Sequence, residues 1–465
     1  MKKTKWITIL FLIALTLFSL SFFRIDPDYL WHIKAGEYMF HHGVLRSDVF
    51  SWSVYSKYWM SHEWLFEILI YSLKSVFGSF HLFLYTFVMT FLLLLTIYIG
   101  NKKQLTSNYL FTIVWFSCSL ILSFMMQGRP HLISNCLLSL SIYFLYDLYK
   151  NEESKKIYFL PLISILWANV HGGSSNLPYL FCFIFMTFGS FQFSFSKIEA
   201  KRIHKKQYIK YFVVMLLCMI GVCINIHGFK MLLYPYQNMM DTTMLQNITE
   251  WIPTNLNEPS HYAYFGLLLL CVSILLFSKK KIEFIDFILL GFSAYLGLKS
   301  IRFWFYTYII MSYIVFYYVP KRKMDKGTEF GVVIISLLLI GLFIARCDAI
   351  FHVDYRYLLS SKDIEVIERE QPKRLYNMYN YGGDLVYQGI PVFIDGRADL
   401  YGKHNYKDYL NLSVLQGDYV SIIEKYQFDY FLVDQIYPIS TYLHYDSNYD
   451  LIYQNDDVLL YKKKN

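Results

Sequence analysis

Charge is scarce in this chain: 17% of its 465 residues are Asp, Glu, Lys or Arg, whereas 55% are hydrophobic. A soluble protein of that length devotes about a quarter of its residues to charge, so much of the apolar content must face lipid. Paired cysteines are missing too. Cys118, Cys136, Cys182, Cys218, Cys223 and Cys271 lie within apolar runs and Cys347 alone borders a polar segment, which excludes a disulfide framework or zinc pattern. No glycine-rich nucleotide loop or Walker sequence is present, which disfavours an ATP-driven transporter. Internal repeats and low-complexity segments are absent as well.

What the chain does contain is aromatic rings and apolar runs. Tyr (43), Phe (40) and Trp (9) are used heavily, as suits many membrane-water boundaries, where amphipathic rings settle at headgroup level. Runs long enough for helical spans occur near 6–23, 80–99, 108–126, 132–149, 157–171, 177–195, 208–224, 261–278, 284–299, 303–319 and 329–345. They predict about eleven transmembrane helices. The first is read as an uncleaved span, because it is long for a signal peptide and no small-x-small site precedes Arg24.

The net charge of +8 needs no nucleic-acid partner. Basic clusters at Lys102-Lys103, Lys150 to Lys156, Lys197 to Lys210, Lys279 to Lys281 and Lys321 to Lys323 are each separated by two spans. One orientation therefore makes all five cytoplasmic together with the N-terminus, under the positive-inside rule. The short apolar piece from His62 to Phe77, which carries Glu63, Glu67 and Lys74, is placed as an interfacial or half-inserted helix on the outer surface. After Arg346 charge rises, and strand-like pieces at Pro391 to Ile394, Tyr430 to Val433 and Val458 to Tyr461 alternate with helical segments. The expected fold is thus an all-α polytopic membrane domain over 1–345, including a first outer loop at 24–79, followed by an extracytoplasmic α/β domain over 346–465.

That topology puts the unusual polar residues on one face. Gly128-Arg129-Pro130-His131 and Lys299 to Arg302 place cations at span ends on the side where the charge rule disfavours them, which points to an anionic partner. Asn169-Val170-His171-Gly172 and Asn225-Ile226-His227-Gly228 offer amide and imidazole donors beside glycine, suited to sugar hydroxyls or phosphate oxygens and equally to helix C-caps. Asp26 and Asp28 follow the first span on a Pro27 turn. If Pro27 opens a helix, Asp28 and His32 share a face and could act on one substrate or metal, whereas Asp26 could simply cap that helix. In the tail, Asp395, Arg397 and Asp399 lie on a turn after a strand-like piece, as ligand-binding groups or as an internal ion pair.

These residues resemble a known family. A first span followed by an acidic outer loop, then many spans with Arg and His at their outer ends, looks like the GT-C fold of membrane glycosyltransferases that use polyprenyl-phosphate-linked sugars. Asp26-Pro27-Asp28-Tyr29-Leu30-Trp31-His32, with Gly36, Asp48-Val49-Phe50-Ser51-Trp52 and His62-Glu63-Trp64-Leu65, is similar to a set of largely uncharacterised bacterial proteins of this type. So are Tyr381-Gly382-Gly383 and Ile394-Asp395-Gly396-Arg397-Ala398-Asp399-Leu400-Tyr401 in the tail. The likeness spans nearly the whole chain. It departs in one respect: protein mannosyltransferases of this fold carry an Asp-Glu pair in the first outer loop, whereas Pro27 separates the acids here.

The resemblance implies a transferase at the outer face of a bacterial plasma membrane, multi-pass, with the N-terminus cytoplasmic. A lipid-linked sugar donor would be bound from the membrane, its phosphate held by Arg129 or Arg302, and a glycan, lipid or protein would be the acceptor. Asp28, Asp26 and His32 are the expected catalytic group. Arg129, His131, Asn169, His171, Asn225, His227, Lys299, Arg302, Asp395, Arg397 and Asp399 are the expected substrate-binding residues. Metal dependence stays open, with a divalent cation as the candidate cofactor. The alternative is a non-catalytic transporter or assembly factor for lipid-linked glycans on the same scaffold.

Overall fold

The computed structural model describes residues 2–22, 26–105, 109–120, 128–240, 249–320, 326–351 and 358–464. The basic cluster at 321–323 and the loop residues 24–25 lie outside the described residues. The chain forms two compact units: Met1–Arg24, Leu82–Met240 and Leu245–His352 in the first, and Ile25–His81, Asp241–Met244 and Val353–Asn465 in the second. The second unit thus joins the first outer loop to the C-terminal segment, whereas the sequence reading grouped that loop with the membrane helices.

Among its described residues, the first unit is helical apart from turns and three very short strands. Its axis is the helix Trp304–Tyr318, in which every residue but Tyr317 is buried. A helix apolar on all sides belongs inside a protein, and His131–Lys150, Tyr262–Phe277 and Phe284–Lys299 pack around it. Leu160–Val170 and Leu177–Phe188 each begin with proline in the first turn, where the missing N–H would have had no partner anyway, and both pack on Lys205–Val222. Outer helices leave large apolar side chains exposed, among them Leu269, Leu276, Phe277, Leu337, Leu338 and Ile344. So extensive an apolar surface suits hydrocarbon rather than water.

Four described helices are long and apolar enough to cross a membrane: Trp64–Lys102, His131–Lys150, Pro259–Phe277 and Lys326–Arg346. Several other apolar runs form shorter helices, and some of them end at 3-10 turns. Leu160–Val170, for example, ends at the turn Gly172–Ser174, and 11 residues reach only about 17 Å at 1.5 Å each, against a hydrocarbon core of about 30 Å.

In the second unit, helices Tyr29–His42 and Trp64–Phe77 pack on each other, and Gly382–Gln388 packs on Tyr29–His42. Phe66, Glu67 and Ile70 are the buried residues of Trp64–Phe77. The tail is a small α/β structure, with a four-stranded sheet in the order Leu375–Asn377, Tyr430–Asp434, Val458–Lys463, Tyr449–Gln454. The first pair is parallel and the rest antiparallel. Pro391 to Ile394 does not join the sheet as the sequence predicts. Its one bridge is Val392 to Ser51, and the side chain of Asn377 takes the place of a strand partner, accepting from Phe393 N–H at 2.8 Å and donating to Ile394 C=O at 2.8 Å.

Asp384, in the Tyr381-Gly382-Gly383-Asp384 segment, is buried and accepts from the N–H groups of Leu358 (2.8 Å) and Leu359 (3.2 Å). Burial, only partly offset by those two bonds, lifts its carboxyl to about 7. A carboxyl whose folded pKa lies above its unfolded value favours folding when protonated. That contribution is complete below about pH 4 and lost as pH rises to about 7. Asp384→Asn keeps an acceptor for both N–H groups without the charge. In thermal melts across pH it should gain stability relative to the parent above pH 7 and match it near pH 4; a constant difference would show that the carboxyl titrates alike in the folded and unfolded chain.

Candidate functional site

The two aspartates of the first outer loop have different surroundings. Asp26 is buried, and its Oδ1 accepts from the Asp28 N–H at 2.9 Å while its C=O accepts from Tyr29 N–H. That is the geometry of a residue fixing a helix start. Asp28 precedes the helix Tyr29–His42 but makes no side-chain capping bond. Its carboxylate lies against Gly396 so closely that a Cβ there would stand 1.6 Å from Oδ1 and 2.9 Å from Trp31 Nε1. Only glycine fits that approach. A Cβ at Gly383 would likewise stand 2.2 Å from Pro27 C=O.

His32 follows Asp28 by one turn, yet its ring faces a different pair of acids. Nδ1 is 3.4 Å from Glu67 Oε1 and Nε2 is 3.7 Å from Glu63 Oε2, with all three residues buried. An imidazole nitrogen facing two carboxylates presents three donor atoms to one point. The donor set fits a metal: one imidazole nitrogen and two carboxylate oxygens lie within 4.8 Å of one another, and such ligands suit a divalent ion at bond lengths of about 2.1 Å. Ser61 donates to the second oxygen of Glu67 at 3.1 Å, the kind of outer contact that orients a ligand. His62 borders the cluster, 3.4 Å from Glu63 Oε1 and 3.8 Å from Asp399 Oδ2. Burial works against its protonated form, but Glu63, Asp399 and Glu67 together lift it to about 9, so it is a cation at neutral pH.

Asp395 and Arg397, expected to bind substrate, instead face inward. Arg397 is buried and its guanidinium is shared between Asp395 (Nη2 to Oδ2, 2.5 Å) and Asp48 (Nη1 to Oδ1, 2.6 Å). Tyr401 donates to Asp395 at 2.9 Å and Ser51 to Asp48 at 2.6 Å. Phe50 and Trp59 lie with their rings about the guanidinium, at 5.1 and 5.0 Å. Burial alone would lower the pKa of Arg397, but Asp395, Tyr401 and Asp48 hold it well above the usual value. This triad clamps the outer loop to the turn at 395–401. Among the tail residues singled out in the sequence, Asp399 reaches the histidine-carboxylate cluster, through His62.

A separate cluster lies in the first unit. Arg129 Nη1 is 2.8 Å from Glu250 Oε1, and Arg302 Nη1 is 3.7 Å from Glu250 Oε2. Arg302 Nη2 donates to His171 Nε2 at 3.0 Å, so that nitrogen is the acceptor and Nδ1 carries the proton toward Ser134 Oγ at 2.6 Å. Ser134 also accepts from Trp167 Nε1 at 2.9 Å. His171 is thereby fixed between Arg302 and Ser134. The Trp251 ring covers Arg302 at 5.0 Å.

The remaining sequence candidates are placed differently. Asn169 ties two helix ends together by donating to Ile165 C=O (2.7 Å) and Ile224 C=O (2.9 Å). Asn225 shapes a turn, accepting from His227 N–H at 2.6 Å, and Gly228 closes it at φ +57°. His131 begins its helix half-buried. Lys299 is exposed in the last turn of Phe284–Lys299. Glu63, Glu67 and Glu250 were not selected from sequence. Two glutamates four residues apart beside an otherwise apolar helix were the available signal, since charges there need a reason.

No protein-family model matches the chain, and no curated protein matches it in sequence. Among solved structures, the chain is similar to the crystal structure of the Archaeoglobus fulgidus oligosaccharyltransferase in the apo form. The match has a TM-score of 0.51 at 10% identity and covers 92% of this chain and 69% of that one. Such a likeness shows the fold, which is therefore of GT-C type.

Proposed function

We propose that this GT-C-fold protein is a multi-pass membrane glycosyltransferase that moves a sugar from a polyprenyl-phosphate-linked donor to a cell-surface glycan, lipid or protein on the outer face of a bacterial plasma membrane. The observation that carries the reading is the histidine-carboxylate cluster with Asp28 in the outer loop of a chain whose fold is that of an oligosaccharyltransferase. Asp28 is the base: it takes the acceptor proton, and the acceptor oxygen bonds to the anomeric carbon as the bond to phosphate breaks. The electron pair of that bond leaves on a phosphate oxygen of the donor. Within the first unit, Arg129 and Arg302 offer fixed cations suited to a lipid phosphate. His32, Glu63 and Glu67 would hold a divalent ion, which would supply Lewis-acid charge to an oxygen brought against it. His62 and Asp399 orient Glu63.

The non-catalytic transporter reading gains little from the acidic residues in the apolar runs. Asp286 accepts from Tyr146 (2.5 Å) and Tyr318 (2.6 Å), and Asp147 accepts from Ser154 (2.5 Å) and Lys156 (3.1 Å). Both have the contacts of structural anchors. The test of the transferase reading is mass spectrometry of the purified protein: a lipid-phosphate sugar should co-purify and be consumed when acceptor fractions are added. Co-purified donor that persists with every acceptor would favour the transporter.

The proposed topology makes its own prediction. Lys281→Cys should be labelled by a membrane-impermeant maleimide only after lysis, and Lys373→Cys in intact cells, because the charge rule puts 281 inside and the tail outside. Labelling of both from the same side would reject this orientation.

A further inference from the structure

Glu250 is the residue through which Arg129 and Arg302 meet, and its backbone cannot follow its side chain. Its C=O accepts from Ser300 Oγ at 2.9 Å, Ile301 N–H donates to Ile252 C=O at 3.2 Å, and Thr254 N–H donates to Leu298 C=O at 2.9 Å. The segment Glu250 to Thr254 is therefore stitched to the turn that carries Arg302, and the freedom left to Glu250 is rotation of its side chain.

The fit of the carboxylate is uneven. It sits 2.8 Å from Arg129 but 3.7 Å from Arg302, whose other nitrogen is engaged by His171. Two oxygens in a plane do not satisfy both guanidiniums, whereas a phosphate offers three oxygens on a tetrahedron and more charge. The three side chains are 19%, 28% and 29% exposed for Arg129, Arg302 and Glu250, so a competing anion can reach them.

We infer that Glu250 is an internal stand-in for the donor's phosphate, a carboxylate that occupies Arg129 and Arg302 until an anionic lipid headgroup displaces it. This rests on the reading of the two arginines as phosphate ligands and adds a regulation of that site. The displaced side chain swings away and the phosphate takes its bonds. The cost of breaking the Glu250 pairs sets a threshold against weaker anions.

The test is binding of farnesyl phosphate to the full-length protein in detergent, with farnesol as the uncharged control and inorganic phosphate as the free-anion competitor. Glu250→Gln should bind farnesyl phosphate about tenfold more tightly than the parent, a shift of about 1.4 kcal/mol, and Arg129→Gln and Arg302→Gln should bind it more weakly. Glu250→Asp, too short to hold Arg129 closely, should shift in the same direction as Gln and serves if the Gln variant fails to fold. Unchanged or weaker binding in both Glu250 variants, with the Arg variants still impaired, would overturn the stand-in and leave the phosphate site standing. Arg variants that bind like the parent would remove the phosphate site and this inference with it. Inorganic phosphate that displaces the lipid at equal concentration would assign the site to free anions.

Discussion

Arg397→Ala should destabilise the C-terminal unit by about 3–5 kcal/mol, the usual cost of removing one partner from a buried ion pair. Two carboxylates, Asp395 and Asp48, would be left buried and facing each other without their cation. Hydrogen-bond donors remain to each, from Tyr401 and Ser51, but neither neutralises charge. Arg397→Lys should recover only part of the loss, because an ammonium cannot reproduce the guanidinium's bonds to both acids. The measurement is the thermal transition of the unit followed by tryptophan fluorescence, which Trp52 and Trp59 report. A transition within a degree of the parent's in Arg397→Ala would mean that the clamp contributes nothing.

The largest expected effect on activity belongs to Asp28. Asparagine keeps the shape that packs against Gly396 and stands at a helix start as well as aspartate does, so Asp28→Asn should leave stability nearly unchanged. Loss of a general base should slow turnover by about a hundredfold or more. Asp26→Asn is the matched control: Asp26 fixes the helix start, asparagine caps almost as well, and activity should survive. Parent-level turnover in both variants would place both residues in the scaffold.

The sequence displayed more of the fold than of the site. Apolar runs identify helices directly, and the tail strands at 430–434 and 458–463 emerged where β-branched and aromatic residues cluster. Pro391 to Ile394 misled because a side-chain amide, Asn377, supplies what a neighbouring strand would have supplied. The runs at 284–299 and 303–319 coincide with the helices Phe284–Lys299 and Trp304–Tyr318, whose 16 and 15 residues reach about 24 Å at 1.5 Å each. In the site, residue type revealed candidates and concealed partners. Asp28 and His32 share a helical spacing, but His32 turns to acids thirty-odd positions later, a contact fixed by the packing of two helices and by no local pattern. Asp395 and Arg397 looked like ligand groups because charged residues at a turn usually face water. Asp48, some 350 positions earlier, draws them inward. Arg129 and Arg302 were legible from the charge rule alone, and Glu250 was not, since its meaning lies only in where the chain delivers it.

The most direct measurement is sugar transfer by the purified protein in liposomes supplied with a panel of polyprenyl-phosphate hexoses and an outer-surface glycan fraction. The expected result is release of polyprenyl phosphate matched by sugar gained on the acceptor, with the rate collapsing in Asp28→Asn and not in Asp26→Asn. Donor left intact across the panel, or consumed equally by Asp28→Asn, would contradict the assignment of this chain as a glycosyltransferase with Asp28 as its base.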